Sequence, residues 1–437
     1  MSDLHPLKKI VKEQKEGIAR GICSVCSANP YVLRATMEKG KEDNSQILIE
    51  STCNQVNQFG GYTGRTPQEF KEYVETMADS IGFPREKIIL GGDHLGPNTW
   101  QDETSEQALT KAEEMVRQYV KAGYTKIHLD ASMRLADDDK TKALSPEIIA
   151  DRGARLCNAA EEAYQELKGT NPDAMQPVYV IGTEVPTPGG MQDEEEELQL
   201  TSVSDFKKTV ELSKKAFEKY SLTTAWKNVV AVVVQPGVEF GNNKVVEYDS
   251  QAAQQLVQTL EEYDNLVFEG HSTDYQVPEF LKEMVKDNIA ILKVGPALTF
   301  AVREALFALA MIEEELLKYE NEIVLSNFID VLDIAMIENN KNWRKHYHGK
   351  EKKVRLDRKY SLSDRSRYYY SVPEVEEALA KLMSNLKSVE IPFSLINQYL
   401  PVQYKKLRRG LIDNDPEAMV VDKVVNVLDE YSFAINP

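Results

Sequence analysis

The chain has 437 residues, of which 42% are hydrophobic and 28% are charged, so it can bury a sizeable core and is not a disordered polymer. Its formal net charge of −18 disfavours nucleic acid and anionic membranes as partners, and a small anionic substrate would need a locally positive pocket. Residues 1–16 are charged and lack an apolar segment, and no apolar run reaches the roughly 20 residues of a bilayer span. We therefore expect no signal peptide and a cytoplasmic protein.

Short runs rich in Ile and Val recur along the first two thirds of the chain, separated by amphipathic stretches such as 105–122 and 146–167. Most of these runs are apolar without clear alternation, as expected for strands that are covered on both faces. The eight predicted strands are 21–26, 46–52, 87–93, 125–130, 178–183, 229–235, 265–270 and 290–294. Eight strand–helix repeats predict an α/β protein with a (β/α)8 TIM barrel. A doubly wound sheet is the alternative, but no GxGxxG motif follows the first strand.

The character of the chain changes after about residue 300. Residues 301–340 are strongly helical, a basic and aromatic stretch follows at 343–370, and a helical tail begins at Pro373. We therefore predict a barrel over 1–310, which carries the functional site, and an α-helical extension over 311–437 that packs on it.

Polar residues follow nearly every predicted strand, and the carboxyl ends of barrel strands converge on one mouth. His94 and His271 lie just past two of the strands, and Glu184 ends the fifth. Imidazole and carboxylate groups together suit a divalent cation with a position left open for substrate. We predict these three residues as metal ligands, with zinc as the preferred metal and manganese or nickel as alternatives. Asp93, beside His94, is the predicted general acid or base.

His128 and Asp130 alternate along the fourth strand, so their side chains share a face. Two placements are open: both at the mouth as a further ligand or a supporting partner, or His128 one layer deeper as a core histidine, which we favour slightly. Lys293 on the eighth strand raises the alternative of Schiff-base chemistry, against an ion pair within the barrel, which we favour.

Two glycine-dense segments, 60–65 and 91–98, allow the backbone to approach a ligand closely. Neither is followed by the GK[ST] of a P-loop, which disfavours a nucleotide kinase. In barrels, the loops after strands seven and eight often hold a phosphate at a helix N-terminus, which predicts that role for Ser272, Thr273 and Gly295. The candidate counter-charges are Arg65, Arg303, Arg365 and Arg367.

Long motifs spread over almost the whole chain closely resemble those of the GatZ/KbaZ family. They are 21–27 (GICSVCS), 48–52 (LIEST), 54–64 (NQVNQFGGYTG), 91–98 (GGDHLGPN), 126–132 (KIHLDAS), 181–186 (IGTEVP), 234–240 (VQPGVEF), 270–276 (GHSTDYQ), 292–300 (LKVGPALTF) and 360–365 (YSLSDR). The family is described as the Z-type subunit of tagatose-1,6-bisphosphate aldolase, and relatives have been assigned as ketose or ketose-phosphate 4-epimerases.

A weaker resemblance is to the class II aldolases, in which an Asp-His pair, a Glu and two further histidines end strands three, five, six and seven around zinc. Asp93 and His94 match the pair, Glu184 matches the Glu, and His271 matches the last histidine, whereas Gln235 replaces the histidine of strand six. The resemblances imply Asp93, Glu184 and Asp130 as catalytic residues. The substrate- or phosphate-binding residues that we predict are Asn54, Gln55, Gln235, Ser272, Thr273, Asp274, Lys293, Gly295 and Arg365.

Three functions follow from these resemblances. The family description implies a subunit that supports a Y-type catalytic aldolase in the C3–C4 cleavage of a ketose phosphate, in tagatose or galactitol breakdown. The retained Asp93, His94, Glu184 and His271 favour an autonomous metal-dependent ketose-phosphate 4-epimerase. A metal-independent sugar-binding or chaperone-like module is the third. The expected partners are a ketose phosphate, a Y-type subunit and a second copy of the chain.

Overall fold

The computed structural model describes residues 4–182 and 198–437. The strands are β1 (Ile22–Val25), β2 (Ile47–Thr52), β3 (Ile88–Leu95), β4 (Lys126–Leu129), β5 (Val178–Ile181), β6 (Val229–Val234), β7 (Glu239–Phe240), β8 (Val245–Val246), β9 (Val267–Gly270) and β10 (Ile289–Val294). Eight of them form a closed, all-parallel barrel in the order β1-β2-β3-β4-β5-β6-β9-β10, and β7 and β8 form a separate antiparallel hairpin. The predicted barrel fold and the positions of its eight strands are confirmed.

Helices surround the barrel and continue beyond it. The first nine are α1 (Pro6–Lys15), α2 (Pro30–Glu42), α3 (Pro67–Ile81), α4 (Ser105–Ala122), α5 (Pro146–Thr170), α6 (Val203–Lys219), α7 (Thr223–Trp226), α8 (Ser250–Thr259) and α9 (Pro278–Lys286). The remaining helices are α10 (Pro296–Leu317), α11 (Phe328–Glu338), α12 (Glu351–Tyr360), α13 (Pro373–Lys387), α14 (Phe393–Tyr399), α15 (Pro401–Arg408) and α16 (Pro416–Ile435). In the part of the chain that the structure describes, none of these helices has the length and apolar character of a membrane span.

Local sequence signals start several of the helices. Thr66 and Glu69 form a capping box at the start of α3, in which each side chain binds the other's backbone N–H. Asn29, Ser145 and Asp415 each accept a hydrogen bond from the first turn of a helix that begins with proline. Because these caps satisfy backbone donors that would otherwise be unpaired, the positions of the helices follow from short stretches of sequence.

The amino-terminal end of the barrel is closed by α1. Leu7, Ile10 and Val11 pack in one apolar cluster with inward-facing residues of the strands, among them Ile22 and Leu48. This apolar layer separates the polar interior of the barrel from solvent at that end. Among the described residues, the cavity of the barrel lies at the opposite mouth.

The carboxyl-terminal helix returns to the barrel wall. Helix α16 packs against α2, α9 and α10 and also contacts β1, and the Tyr431 hydroxyl donates to the carbonyl oxygen of Thr273, 2.9 Å away. Helix α10 runs across the predicted boundary at residue 310 without interruption. The division into 1–310 and 311–437 stays a prediction.

Candidate metal and substrate site

The inward-facing residues of the barrel strands form polar layers near the open mouth. On β4, Lys126 is followed two residues later by His128, and Glu269 on β9 is followed two residues later by His271. Since successive side chains of a strand point to opposite faces, each pair shares the inner face at two depths. The deeper layer is ionic, and the upper layer carries imidazoles.

The imidazoles of His94, His128 and His271 form a triangle at the mouth. The ring centroids are 5.0 Å apart for His94 and His128, 5.1 Å for His94 and His271, and 5.3 Å for His128 and His271. Asp93 completes the group, since one potential ligand atom from each of the four residues lies within 4.8 Å of the others. All four side chains are buried, although they come from three separate strands or strand ends.

Each imidazole has one ring nitrogen next to a carboxylate. Nδ1 of His94 lies 2.8 Å from Oδ2 of Asp130, and Nε2 of His271 lies 2.9 Å from Oε1 of Glu269. Nδ1 of His128 lies 3.0 Å from Oδ1 of Asp93 and also accepts from the backbone N–H of His94, 3.2 Å away. Histidines that bind metals in proteins commonly have this arrangement, in which a carboxylate orients the ring and leaves the other nitrogen for the ion.

The state of the ring nitrogens also indicates a metal site. Nε2 of His128 is buried and has no hydrogen-bond partner among the described residues. A buried nitrogen without a partner is costly, so its presence on an imidazole beside two others indicates a ligand. Burial lowers the pKa of His271 to about 3, which keeps that imidazole neutral, as a metal ligand must be. The residues present therefore fit a divalent cation.

The backbone at His94 is unusual in a way that serves the site. His94 has a positive φ of 48°, and the pairing of β3 with β4 shifts register between Gly92 and Leu95. An L-residue in the left-handed region is disfavoured and persists where surrounding contacts impose it, often at functional sites. The irregularity lets both Asp93 and His94, which are neighbours in sequence, take part in the same cluster.

An ionic layer lies directly beneath the imidazoles. Lys126 Nζ lies 2.6 Å from Oε1 of Glu50 and 2.7 Å from Oε2 of Glu269. Lys293 Nζ lies 3.1 Å from Oε2 of Glu50 and also contacts Oδ1 of Asp93. Burial disfavours the charge on Lys293, but the neighbouring carboxylates, Asp93 above all, hold its pKa well above the ordinary value. A lysine held in its charged form is a poor nucleophile, so these contacts correspond to the ion-pair alternative.

The positive charges near Asp93 act on the pKa of its carboxyl group. Burial opposes ionisation of its carboxyl group, but the charges of His94 and Lys293 hold the pKa of Asp93 well below its usual range. At His94 the nearby Asp93 and Asp130 carboxylates outweigh burial and raise the pKa. The carboxylates thus favour a positive charge on His94, and the neighbouring cations favour a negative charge on Asp93.

A cavity of about 620 Å³ opens above the cluster. Ten of the predicted site residues line it: Asn54, Gln55, Asp93, His94, His271, Ser272, Asp274, Lys293, Gly295 and Arg365. The stretch after α11 covers one side of the cavity with residues that the predicted ligand set did not include: Lys341, Asn342, His346, Arg367 and Tyr368. Of these five, only Arg367 was predicted from sequence to act in the site, as a candidate counter-charge, whereas His346 was expected on a solvated surface.

Three predicted residues are engaged elsewhere. Asp130 Oδ1 accepts from the backbone N–H and the hydroxyl of Ser132, while Oδ2 contacts His94, so Asp130 orients a ring and does not line the cavity. Gln235 Oε1 accepts from the backbone N–H groups of its own loop at 237 and 238, 2.9 and 3.1 Å away. Thr273 Oγ1 donates to the carbonyl oxygen of Lys293, 2.7 Å away, and braces the barrel wall.

The predicted phosphate position at the start of α10 already holds a carboxylate. Oδ1 of Asp274 accepts from the backbone N–H groups of Gly295 and Ala297, at 3.0 and 2.8 Å. Because these are the donors that a bound phosphate would use, the helix end is satisfied within the chain. Glu184, predicted as both a ligand and a catalytic group, lies outside the described residues.

The position of His128 corrects the placement that we favoured from sequence. His128 lies in the imidazole layer, level with Asp93, and the deeper position on β4 belongs to Lys126. Lys126 and Glu269 were not predicted as part of the site. The signal was available, because each lies two residues before an inward-facing histidine on the same strand.

Comparisons with known proteins place the chain in a family. Residues 7–436 match the family model described as "D-tagatose-1,6-bisphosphate aldolase subunit GatZ/KbaZ-like". The chain belongs to this family. The GatZ subunits of Escherichia coli O6:K15:H31 (strain 536) and of Escherichia coli O6:H1 (strain CFT073) are each 46% identical to it over 427 residues, covering 98% of this chain and 99% of theirs.

A solved structure shares the fold over nearly the full length. The crystal structure of a probable tagatose 6 phosphate kinase from Sinorhizobium meliloti 1021 is 44% identical in sequence and superimposes with a TM-score of 0.85, covering 95% of this chain and 100% of that one. The family match over residues 7–436 and this superposition both extend over the barrel and its carboxyl-terminal helices.

Proposed function

We propose that this chain is a GatZ/KbaZ-type subunit of the D-tagatose-1,6-bisphosphate aldolase system and that its own barrel mouth binds a divalent metal and a ketose phosphate. The observation that carries the proposal is the convergence of three buried imidazoles and Asp93 beneath a polar cavity. A subunit that served only as a scaffold would not need such a cluster, which leaves a ring nitrogen unpaired.

His94, His128 and His271 would hold the metal in this proposal. Three imidazoles suit zinc, and they also suit manganese or nickel. When bound, a divalent cation supplies a Lewis acid that polarises the carbonyl group of a ketose. Glu184, which matches a class II aldolase glutamate, remains a predicted further ligand or catalytic group.

The chain's own residues would position the substrate and move its proton. Asp93 lines the cavity beside the imidazoles, so its carboxylate is within reach of a hydroxyl group on a bound sugar. Lys293 contacts Asp93 from below and keeps it oriented. Asn54, Gln55 and Ser272 line the cavity and offer amide and hydroxyl groups to the sugar hydroxyls. Removal of a hydroxyl proton while the adjacent C3–C4 bond breaks is the proton movement of aldol cleavage.

The fact that a single chain supplies the whole cluster favours a second function. All four residues of the potential ligand set come from one chain, so no partner is needed to complete them. The alternative is therefore an autonomous 4-epimerase of a ketose phosphate, which cleaves the C3–C4 bond and re-forms it with the opposite configuration. A Y-type catalytic subunit and a second copy of the chain remain proposed partners, and a cytoplasmic location is part of the same proposal.

One incubation series separates the two functions. The purified chain is loaded with zinc and incubated with fructose 6-phosphate or tagatose 6-phosphate, and the products are resolved by chromatography. Formation of the C4 epimer by the isolated chain, abolished by EDTA and restored by zinc, is the result expected of an epimerase. Turnover of tagatose 1,6-bisphosphate only after a Y-type subunit is added is the result expected of a supporting subunit. A chain that retains no zinc, manganese or nickel would contradict the epimerase function and the proposed metal site.

Replacing Asp130 by asparagine should weaken metal binding without preventing it. The Asp130 carboxylate orients His94 through Nδ1, and loss of such a supporting contact typically costs about 10–100-fold in metal affinity. The measurement is a chelator-competition titration with zinc. Asp139→Asn is the matched control, because Asp139 lies in an exposed loop and contacts only Thr141 among the contacts identified for it. Equal affinities of the two variants would show that Asp130 does not act through His94.

A further inference from the structure

The cavity above the imidazoles is bordered by a group of basic side chains from the carboxyl-terminal part of the chain. Lys341, Arg365 and Arg367 all line it. They follow α11 in sequence and are far along the chain from the barrel strands that carry the histidines. This positive group stands out on a chain whose formal net charge is −18.

Arg365 differs from the other buried arginines of the described chain. Arg152 pairs with Asp138 at 2.7 Å, Arg303 with Asp364 at 3.2 Å, and Arg358 with Asp333 at 2.7 Å. Arg365 is only 6% exposed, yet among the described residues no carboxylate forms an ion pair with it. An unpaired buried charge is expensive, so this guanidinium lacks a counter-charge that a ligand would bring.

The hydrogen-bonding capacity of Arg365 is also largely unused. One of its terminal nitrogens donates to the carbonyl oxygen of Asn342 at 3.3 Å, and its Nε is buried with no partner among the described residues. Arg367 donates to the backbone carbonyls of Ser363 and Asp364 and to the Tyr368 hydroxyl, so its charge is solvated by neutral groups. Among the described residues, no carboxylate forms an ion pair with either guanidinium group, although the charges of Asp364 and Asp274 act on Arg367 from a longer distance.

Neighbouring side chains respond to this positive potential. Burial alone would raise the pKa of the Tyr368 phenol, yet the charges of Arg367 and Arg365 bring it below the ordinary value. Burial, together with the same two arginines, lowers the pKa of His346 to about 4. Both groups line the cavity, so the potential extends into the space that a ligand would occupy.

The backbone holds the arginines in place before any ligand arrives. Asp364, which has a positive φ of 41°, accepts from the Thr299 hydroxyl at 2.6 Å and from Arg303 at 3.2 Å. The backbone N–H of Arg365 donates to the Tyr347 hydroxyl, 3.1 Å away. These buried contacts tie the segment to α10, so a ligand would not have to order it.

We propose that Arg365 and Arg367, with Lys341 at the edge, form an anion subsite that binds the phosphate monoester of the substrate. We assign the phosphate to these side chains and not to the start of α10, because Asp274 already accepts from the backbone N–H groups there. The inference rests on the proposed function only for the identity of the sugar that carries the phosphate. Binding of the phosphate group itself does not depend on it. A planar guanidinium with free N–H groups suits the oxygen geometry of a phosphate dianion.

The test compares phosphate binding by the zinc-loaded full chain and by Arg365→Gln. Calorimetric titrations use inorganic phosphate, fructose 6-phosphate and unphosphorylated fructose. We expect Arg365→Gln to weaken binding of inorganic phosphate and of fructose 6-phosphate by about 10–100-fold. Binding of fructose should be unchanged. Arg344→Gln is the matched control, because Arg344 is an exposed arginine of the same stretch and does not line the cavity.

Thermal stability separates this role from a structural one. Removal of an unpaired buried charge should leave the Tm of Arg365→Gln without phosphate unchanged or higher than that of the parent chain. Phosphate should raise the Tm of the parent chain and of Arg344→Gln more than that of Arg365→Gln. A fall in Tm without phosphate, with phosphate binding intact, would overturn the proposal, as would a parent chain that binds neither phosphate compound. Zinc content is measured in parallel, so that failure of the metal site and failure of the phosphate subsite can be told apart. Loss of phosphate binding in Arg365→Gln would support the subsite even if the chain retained no metal.

Discussion

Replacing His128 by alanine should lower the affinity of the chain for zinc by about 100-fold or more, a loss at least as large as that caused by removing a supporting carboxylate. The reason is that the ring forms one corner of the imidazole triangle, with centroids 5.0 Å from His94 and 5.3 Å from His271, and that its Nε2 has no hydrogen-bond partner among the described residues. The measurement is zinc content after dialysis, by inductively coupled plasma mass spectrometry, together with a chelator-competition titration.

His348→Ala is the control for this experiment, because His348 is exposed and its ring nitrogen contacts only the carbonyl oxygen of Lys345 among the contacts identified for it. The two roles open to His128 predict different results. A core histidine without a metal would cost stability on truncation but leave zinc content as in the control. If His128→Ala retained the zinc of the parent chain, His128 would not be a ligand, and the proposed centre would lack one of its three imidazoles.

Replacing Glu50 by glutamine should lower the free energy of unfolding by about 3–5 kcal/mol, the usual cost of breaking a buried ion pair on one side. Glu50 is fully buried and contacts Lys126 at 2.6 Å, Lys293 at 3.1 Å and the Ser24 hydroxyl at 2.5 Å. Without the charge of Glu50, the buried ammonium groups of Lys126 and Lys293 would have one carboxylate fewer to pair with. Urea denaturation of the metal-free chain measures the change.

Glu211→Gln is the matched control, because Glu211 pairs with Lys215 on the exposed face of α6, where such a pair contributes roughly 0–1 kcal/mol. The double variant Glu50→Gln with Lys126→Met should recover part of the loss, since it also removes one of the stranded charges. A loss for Glu50→Gln no larger than that of the surface control would show that the ionic layer does not contribute to stability.

The agreement between sequence and structure was best where the signals are local. Apolar runs act within a few residues, and their repetition along the chain was enough to place the eight strands and to predict a barrel. The rule that strand ends converge at one mouth then brought His94 and His271 into one prediction, and their rings lie 5.1 Å apart.

The depth of each side chain within the barrel was not available from the sequence. Alternation along β4 indicates that Lys126 and His128 share a face, but the stagger between neighbouring strands decides which one is level with Asp93. The observed register pairs Gly91 with Lys126, so the layer of Asp93 is also that of His128. A period of two specifies the face of the strand and carries no information on the level. For this reason the deeper level that we favoured for His128 was wrong.

The sequence by itself determined the strand and helix pattern, the barrel and two of its mouth histidines, since those depend on neighbours in the chain. Only the tertiary structure decided that His128 joins them, that Glu50, Lys126, Glu269 and Lys293 form one ionic layer, and that Arg365 faces the same cavity from the carboxyl-terminal part. The physical reason is that electrostatic contacts depend on distances in space. Those distances follow from barrel stagger and from the packing of the helices after β10, which no short stretch of sequence specifies.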